Sequence, residues 1–476
     1  MSVFGIDFGT TNSAAVKLAE HAEPQKYGDE AGAPYPSIVA IDRATGKISG
    51  GRDIWEHREK VRDTGNYHIV ESVKLHLGTD HTWQTEAGPR TARDIASSIL
   101  AALSRRASTR GLEPIQKAAI TIPVGFPPSA RADLRMAAAS AGIQLTTFIT
   151  ESTAAFMRYL PQLRHCRYAA VFDWGGGTLD ISILELREGT VFELATEGMY
   201  IAGDEIDADL ARAVHTRVME RRGTPQSFDS MSSIDRDNLR TKCEEAKRQL
   251  SSRPAWDILL SSYGGSPVNV QMDVAWFHSI IAPHVDLALE RLTHAIESCK
   301  LSVDSIDRVL IIGGSSKLTL LRDRLRADPR FSASLHISDD AEWDVAHGAA
   351  IVELSPGGYE LAESIGVVLS DNSFYEIVRR GERIWSQPRS IALSLVEDAK
   401  QANIIVEKRP HPQSTVSDRV AAFSVNTLGF NLEEIRLAYS INSDLMLRLE
   451  AGSISLAASD VVRHEYGKLL FAYRFS

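Results

Sequence analysis

From position 2 to about 354 the chain alternates short β-branched runs with longer stretches in which apolar residues recur every three or four positions. The runs Ala118-Ala119-Ile120-Thr121-Ile122, Ala169-Ala170-Val171-Phe172 and Arg308-Val309-Leu310-Ile311-Ile312 predict strands. The three- and four-residue spacing predicts helices over 92–107, 129–141, 204–221, 236–251 and 278–298. Strands alternating with helices indicate an α/β architecture. After Ser355-Pro356-Gly357-Gly358 the pattern changes to period two, over 365–369, 375–379, 391–396, 403–407, 434–441 and 445–449. This predicts a small antiparallel β-domain, with the proline-bearing stretch 409–417 as a loop inside it. The expected division is 1–354, a linker over 355–363 with the boundary near Pro356, and 364–476.

A length of 476 residues exceeds one ordinary core, and 43% hydrophobic with 24% charged residues is a globular composition. Lysine and arginine number 52 against 62 aspartates and glutamates, a net charge of −10. That balance argues against a broad grip on nucleic acid or an anionic membrane. Cys166, Cys243 and Cys299 lie far apart, which supports neither a disulfide framework nor a zinc cluster, and they read as reduced, buried small hydrophobes. No apolar run approaches the ~18 residues of a membrane helix, and Met1 leads directly into Val3-Phe4-Gly5-Ile6, so the expected location is cytoplasmic. The 14 histidines show no metal-ligand spacing, and no Gly-x-x-x-x-Gly-Lys-Ser/Thr loop occurs.

Three glycine-bearing turns carry candidate chemistry. In Gly5-Ile6-Asp7-Phe8-Gly9-Thr10-Thr11-Asn12-Ser13, Gly9 permits a tight hairpin, Thr10 and Thr11 can donate to phosphate oxygens, and Asp7 can hold a hydrated Mg²⁺. Taken alone it reads equally well as an ordinary polar hairpin. Val171-Phe172-Asp173-Trp174-Gly175-Gly176-Gly177-Thr178-Leu179-Asp180-Ile181-Ser182 repeats the arrangement. Two such hairpins can grip a polyphosphate from opposite sides, with Asp7 and Asp173 flanking one metal. The third turn, Ile311-Ile312-Gly313-Gly314-Ser315-Ser316-Lys317, suits a base or ribose laid against bare backbone. In the helix from 236, Glu244, Lys247, Arg248 and Ser251 share one face. They can bond and cover a nucleoside, or form a solvated charged face.

In order and spacing these turns resemble the two phosphate motifs and the adenosine motif of the actin-like ATPase superfamily. Lys242-Cys243-Glu244-Glu245-Ala246-Lys247-Arg248-Gln249-Leu250-Ser251-Ser252 is similar to the adenosine-clamping helix of DnaK-type heat-shock chaperones. Glu71-Ser72-Val73-Lys74-Leu75, Ile120-Thr121-Ile122-Pro123, Thr150-Glu151-Ser152-Thr153-Ala154-Ala155 and Gly203-Asp204-Glu205-Ile206-Asp207 extend the resemblance over 2–354. It implies a two-lobed actin-like ATPase with ribonuclease H-like subdomains, followed by a small all-β domain. The implied cofactors are ATP or ADP with Mg²⁺, and the implied reaction is hydrolysis to ADP and phosphate. Lys74 would lie beside the γ-phosphate and position the attacking water. Glu151 would lie near the metal-bound water, and Asp173, Thr178 and Asp180 would line the same pocket. Nucleotide contacts would come from Gly9, Thr10, Thr11, Asn12, Gly175, Gly176, Gly177, Glu244, Lys247, Arg248, Ser251, Gly313, Gly314, Ser315 and Lys317, and metal contacts from Asp7 and Asp173.

The period-two segments after Ser364 resemble that family's peptide-binding β-domain, which would take extended apolar polypeptide. The chain departs from the family at four points. The linker reads Ser-Pro-Gly-Gly-Tyr-Glu-Leu-Ala over 355–362, with little apolar surface, so weak coupling between domains is expected. The family's helical lid would follow the β-domain, and a form without it is expected. Thr147 stands where a basic residue usually engages J-domain cochaperones, and Lys317 stands where arginine is usual. The expected function is an ATP-dependent chaperone-like protein with polypeptide clients and a nucleotide-exchange factor. The alternative is a nucleotide-gated adaptor holding one dedicated partner. The clamp helix disfavours a filament or a small-molecule kinase.

Overall fold

The computed structural model describes residues 2–20, 22–109, 112–123, 125–354, 358–457 and 460–474. Two sheets built on one plan form the α/β part. In the first, Ser2–Phe8 pairs antiparallel with Asn12–Ala19 through a tight turn and parallel with Lys117–Ile122, which in turn pairs parallel with Gln144–Thr150. In the second, Tyr168–Trp174 pairs antiparallel with Leu179–Arg187 and parallel with Arg308–Ile312, beside which Leu335–Ile337 lies parallel. In the leading strands Phe4, Gly5, Ile6 and Phe8, and all of Ala169–Trp174, are buried, which is why these stretches read as mainly apolar sequence. Asp7 and Asp173 close these two strands, so both carboxylates emerge at the same edge of their lobes.

Helix Asp344–Leu354 packs backbone to backbone against its neighbours. A Cβ on Gly348 would sit 1.6 Å from the Ala154 carbonyl oxygen, and one on Gly5 would sit 2.2 Å from the Ala350 nitrogen. Both positions therefore exclude any side chain, and they fix helix Glu151–Leu163 against the first sheet. Helix Ser233–Leu250 starts three residues ahead of its predicted position because the Ser232 side chain accepts from the Asp235 amide and caps it. The helices predicted over 92–107, 129–141, 204–221 and 278–298 are present as Ala92–Thr109, Pro128–Ser140, Gly203–Arg222 and Val274–Ser298.

The C-terminal region is all-β. One four-stranded antiparallel sheet runs Phe374–Val378, Ser364–Val368, Gln401–Arg409, Asp418–Asn426; a second runs Trp385–Ser394, Glu434–Ile441, Leu447–Ser453, Val462–Tyr466. Their inward rows follow the period-two pattern: Ala402, Ile404 and Val406 are buried while Gln401 and Asn403 face out.

The joining segment corrects the sequence reading. Pro356 and its neighbours 355 and 357 lie outside the described residues, but Gly358–Leu361, expected to be linker with little apolar surface, is a strand whose Tyr359 and Leu361 are buried. It pairs antiparallel with Phe471–Arg474, which pairs antiparallel with Thr190–Met199 of the second lobe. A second junction is made by Arg131 on helix Pro128–Ser140. Its guanidinium donates to the carbonyls of Asp444 at 2.6 Å, Leu445 at 2.8 Å and Gly467 at 2.9 Å, while Arg135 forms an ion pair with Asp444. The β-region is thus docked on the ATPase-like part. Among the described residues no helix is long and apolar enough to cross a membrane.

Candidate active site

A cavity of about 340 Å³ opens between the lobes, where the two strand-hairpin turns face each other. The approach is close. A Cβ on Gly177 would lie 2.7 Å from Thr10 Cγ2, and one on Gly176 would lie 1.8 Å from Thr11 Oγ1. Within the first turn, a Cβ on Gly9 would lie 2.1 Å from the Asn12 carbonyl oxygen. Only glycines allow the hairpins to meet with their amides bare. Gly313, at φ 78°, brings the third turn against Asp173 and Trp174, and Ser315 Oγ donates to the Gly175 carbonyl at 3.0 Å.

The catalytic-site candidates Lys74, Glu151, Asp173 and Thr178 line this cavity together with Asp7. So do Gly9, Thr10, Thr11, Asn12, Gly175, Gly176, Gly177, Glu244, Lys247, Arg248, Ser251, Gly313, Gly314, Ser315 and Lys317. Asp180 does not line it and sits on the neighbouring strand opposite Asp173.

At the floor, Lys74 Nζ lies 2.5 Å from Glu151 Oε1, and both side chains are buried. Glu151 is the first residue of its helix, whose N-cap is Thr150. Against a burial that would lower it, Glu151 and Asp7 hold the Lys74 ammonium above its ordinary range. Burial pushes Asp7 up to about 7, with repulsion from Glu151 adding and Lys74 opposing. Asp173 is raised by burial, then by Glu151, Asp180 and Asp7. One cation among four carboxylates leaves an excess of negative charge that a divalent ion would neutralise. Among the described residues no group of three or more protein ligands could hold a metal. A Mg²⁺ here would therefore rest on Asp7, Asp173, water and ligand oxygens, in keeping with its reluctance to shed water.

The clamp face is tied up within the protein. Glu244 accepts from Arg248 at 2.8 Å on Oε1 and from Arg58 at 2.7 Å on Oε2. Lys247 donates to Asp207 at 2.7 Å, Ser251 to the Lys247 carbonyl at 3.2 Å, and Lys317 to Glu342 at 2.8 Å. Asp207, which lines the cavity, has its Oδ1 buried with no hydrogen-bond partner among the described residues.

The family model described as Hsp70 protein matches residues 3–373. The chain belongs to the Hsp70 family. Its members are ATP-dependent chaperones that bind ATP or ADP with Mg²⁺ and work on polypeptide clients with cochaperones. In this Hsp70 protein the match runs through both lobes and the strand Ser364–Val368.

Two contributors lie in none of the motifs quoted from the sequence. Arg58 and Trp55, on helix Arg52–Asp63, reach across the cleft. The Trp55 ring has two guanidinium neighbours, Arg58 at 4.8 Å and Arg248 at 5.2 Å from its centre. Against burial, Arg248 and Arg58 hold Glu244 below the usual carboxylate range. Asp204, on the opposite lobe, accepts from Ser72 Oγ at 2.8 Å. No local pattern marks a contact made between residues nearly two hundred positions apart, as Arg58 and Glu244 are.

Proposed function

We propose that this Hsp70 protein binds ATP with Mg²⁺ in the cleft, hydrolyses it, and uses the cycle to bind and release extended polypeptide through its β-region, 364–476. The observation that carries the reading is the buried Lys74–Glu151 pair set between the two touching glycine hairpins and beside Asp7 and Asp173. Mg²⁺, when bound, neutralises charge on the phosphate oxygens and orders the water around them.

The protein's own part is positioning and electrostatics. Backbone amides of 9–12 and 175–178 and the hydroxyls of Thr10 and Thr178 hold the phosphates. The Lys74 ammonium, charged and rigidly paired, stabilises negative charge as it spreads onto the departing phosphoryl oxygens. Glu151 fixes that ammonium and accepts a hydrogen bond from ordered water. Arg248 covers the base, and Asp207 Oδ1 receives a ribose hydroxyl.

Single-turnover hydrolysis of radiolabelled ATP with and without Mg²⁺, followed by a screen against unrelated apolar peptides, tests the reading. Mg²⁺-dependent turnover together with binding of many peptides is expected. Turnover with capture of a single protein would favour the dedicated-partner adaptor, and absence of turnover would overturn the ATPase assignment.

A further inference from the structure

We propose that the strand Phe471–Arg474 is a strap that holds the β-region on the second lobe, and that the β-region moves only when this strand leaves its slot. The strand is continuous with the β-region, which it follows after Val462–Tyr466. It is paired on both sides. Phe192, Val191 and Thr190 oppose Ala472, Tyr473 and Arg474 on one edge; Leu361, Glu360, Tyr359 and Gly358 oppose Phe471 through Arg474 on the other. Among the described residues, Gly358–Leu361 joins the second lobe's sheet only through this strand. Its place in that sheet therefore depends on the strap, while its other edge is bonded within the β-region: the Leu361 amide donates to the Glu382 carbonyl at 2.9 Å and the Ile384 amide to the Tyr359 carbonyl at 3.1 Å.

Its side chains are anchored too. Phe471, Ala472 and Tyr473 are all buried, the rings of Phe471 and Tyr473 pack edge-on against Tyr359 at 5.8 Å and 5.4 Å, and Tyr473 donates to the Val352 carbonyl at 3.3 Å. The strap also reaches the cleft. The Phe471 amide donates to Glu193 Oε2 at 3.1 Å, and Glu193 Oε1 accepts from Thr150 at 2.6 Å and Thr153 at 2.7 Å. Thr150 caps the helix whose first residue, Glu151, pairs with Lys74. Release of the strap removes one of the donors that fix Glu193, and Glu193 in turn fixes the start of that helix. A four-residue strand is short enough to be displaced and re-formed, because so short a ladder is marginal without its neighbours.

The test uses the full chain without nucleotide, so that its outcome is independent of the ATPase reading. Ala472→Pro removes an amide from a strand paired on both edges. Tyr473→Asn keeps the backbone and removes the buried ring, and it serves if the proline variant does not fold. Hydrogen exchange and small-angle scattering are read together. In either variant, amides of 190–192 are expected to exchange at least about tenfold faster, with a larger radius of gyration and unchanged protection at Leu361, whose amide donates to Glu382, and at 401–409. A synthetic peptide of sequence Lys468–Arg474 added to the variant is expected to restore protection at 190–192 without restoring compactness. Unchanged exchange at 190–192 in the folded variant, or a peptide that fails to protect 190–192, overturns the proposal.

Discussion

Ser72 holds a left-handed backbone conformation, φ 55° and ψ 36°, while its hydroxyl spans the cleft to Asp204 Oδ2 at 2.8 Å. The next residues, Val73–His76, form the short helical turn that presents Lys74. A non-glycine residue in this region costs roughly 1–2 kcal/mol, so the Asp204 bond and the surrounding packing hold the turn against its local preference. Ser72→Ala and Ser72→Gly both remove the bond, but only alanine keeps the strain. Urea unfolding should find Ser72→Gly more stable than Ser72→Ala by about 1 kcal/mol. Equal stabilities would show that the left-handed turn is not kept in solution.

Lys74→Ala should leave ATP affinity nearly intact and lower single-turnover hydrolysis by about a hundredfold or more, since one preorganised charge at a phosphoryl transition state is worth roughly 3–4 kcal/mol. Replacement also strands Glu151 without its partner in a buried site. Lys74→Met, of similar volume, separates the lost charge from the lost packing, and it should be equally slow. Wild-type turnover in either variant would remove Lys74 from the mechanism.

The cleft carboxylates set a pH dependence whose direction can be worked out. Asp7 has a folded value of about 7 against 3.8 unfolded. The folded state therefore holds the extra proton between these values, and stability falls as pH rises through that window. Asp173 and Asp207, also raised by burial, act in the same direction. Thermal unfolding in EDTA without nucleotide should give a lower Tm at pH 8 than at pH 5. Asp7→Asn should shrink that difference, and Mg²⁺ with ATP should reverse it. An Asp7→Asn profile parallel to wild type would contradict the burial of this carboxylate.

Arg58→Ala breaks the link from helix Arg52–Asp63 to the clamp carboxylate Glu244 and leaves the Trp55 ring with one guanidinium partner in place of two. Loss of a charge-assisted bond across the moving boundary, worth about 1–2 kcal/mol, should speed ADP release roughly fivefold to thirtyfold in stopped-flow measurements. Trp55 emission should follow the same event. Unchanged release would mean that the cleft opens without parting Arg58 from Glu244.

The α/β class and the all-β C-terminal region were legible because both rest on local signals: glycine turns after buried strands, and a change in hydrophobic period near 356. The residues proposed for nucleotide contact come to one cavity for the same reason, since each lies within a short contiguous motif. The joining segment was misread because its burial is supplied from elsewhere. Tyr359 and Leu361 are the only large apolar side chains over 355–362, and what covers them includes Phe471 and Tyr473. The weak coupling between domains expected from the sequence rested on that reading. A docked strand and the three carbonyls held by Arg131 remove its basis. Arg131→Ala should loosen the junction, seen as faster hydrogen exchange at 444–445 and 467 in the nucleotide-free protein. Unchanged protection there would assign docking to the strand alone.

The position of Phe471–Arg474 also constrains how the molecule is made. Glu193 and Phe471 are 278 positions apart, yet among the described residues the edge of the second lobe's sheet at 190–192 is covered by that distant segment. During synthesis Thr190–Phe192 emerges long before its pairing partner and presents an open strand edge, a liability for pairing with other chains. Completion of that sheet edge is therefore expected to wait for 471–474. A chain truncated before 471 is expected to leave that edge bare, which ties completion of the sheet to the arrival of Phe471–Arg474.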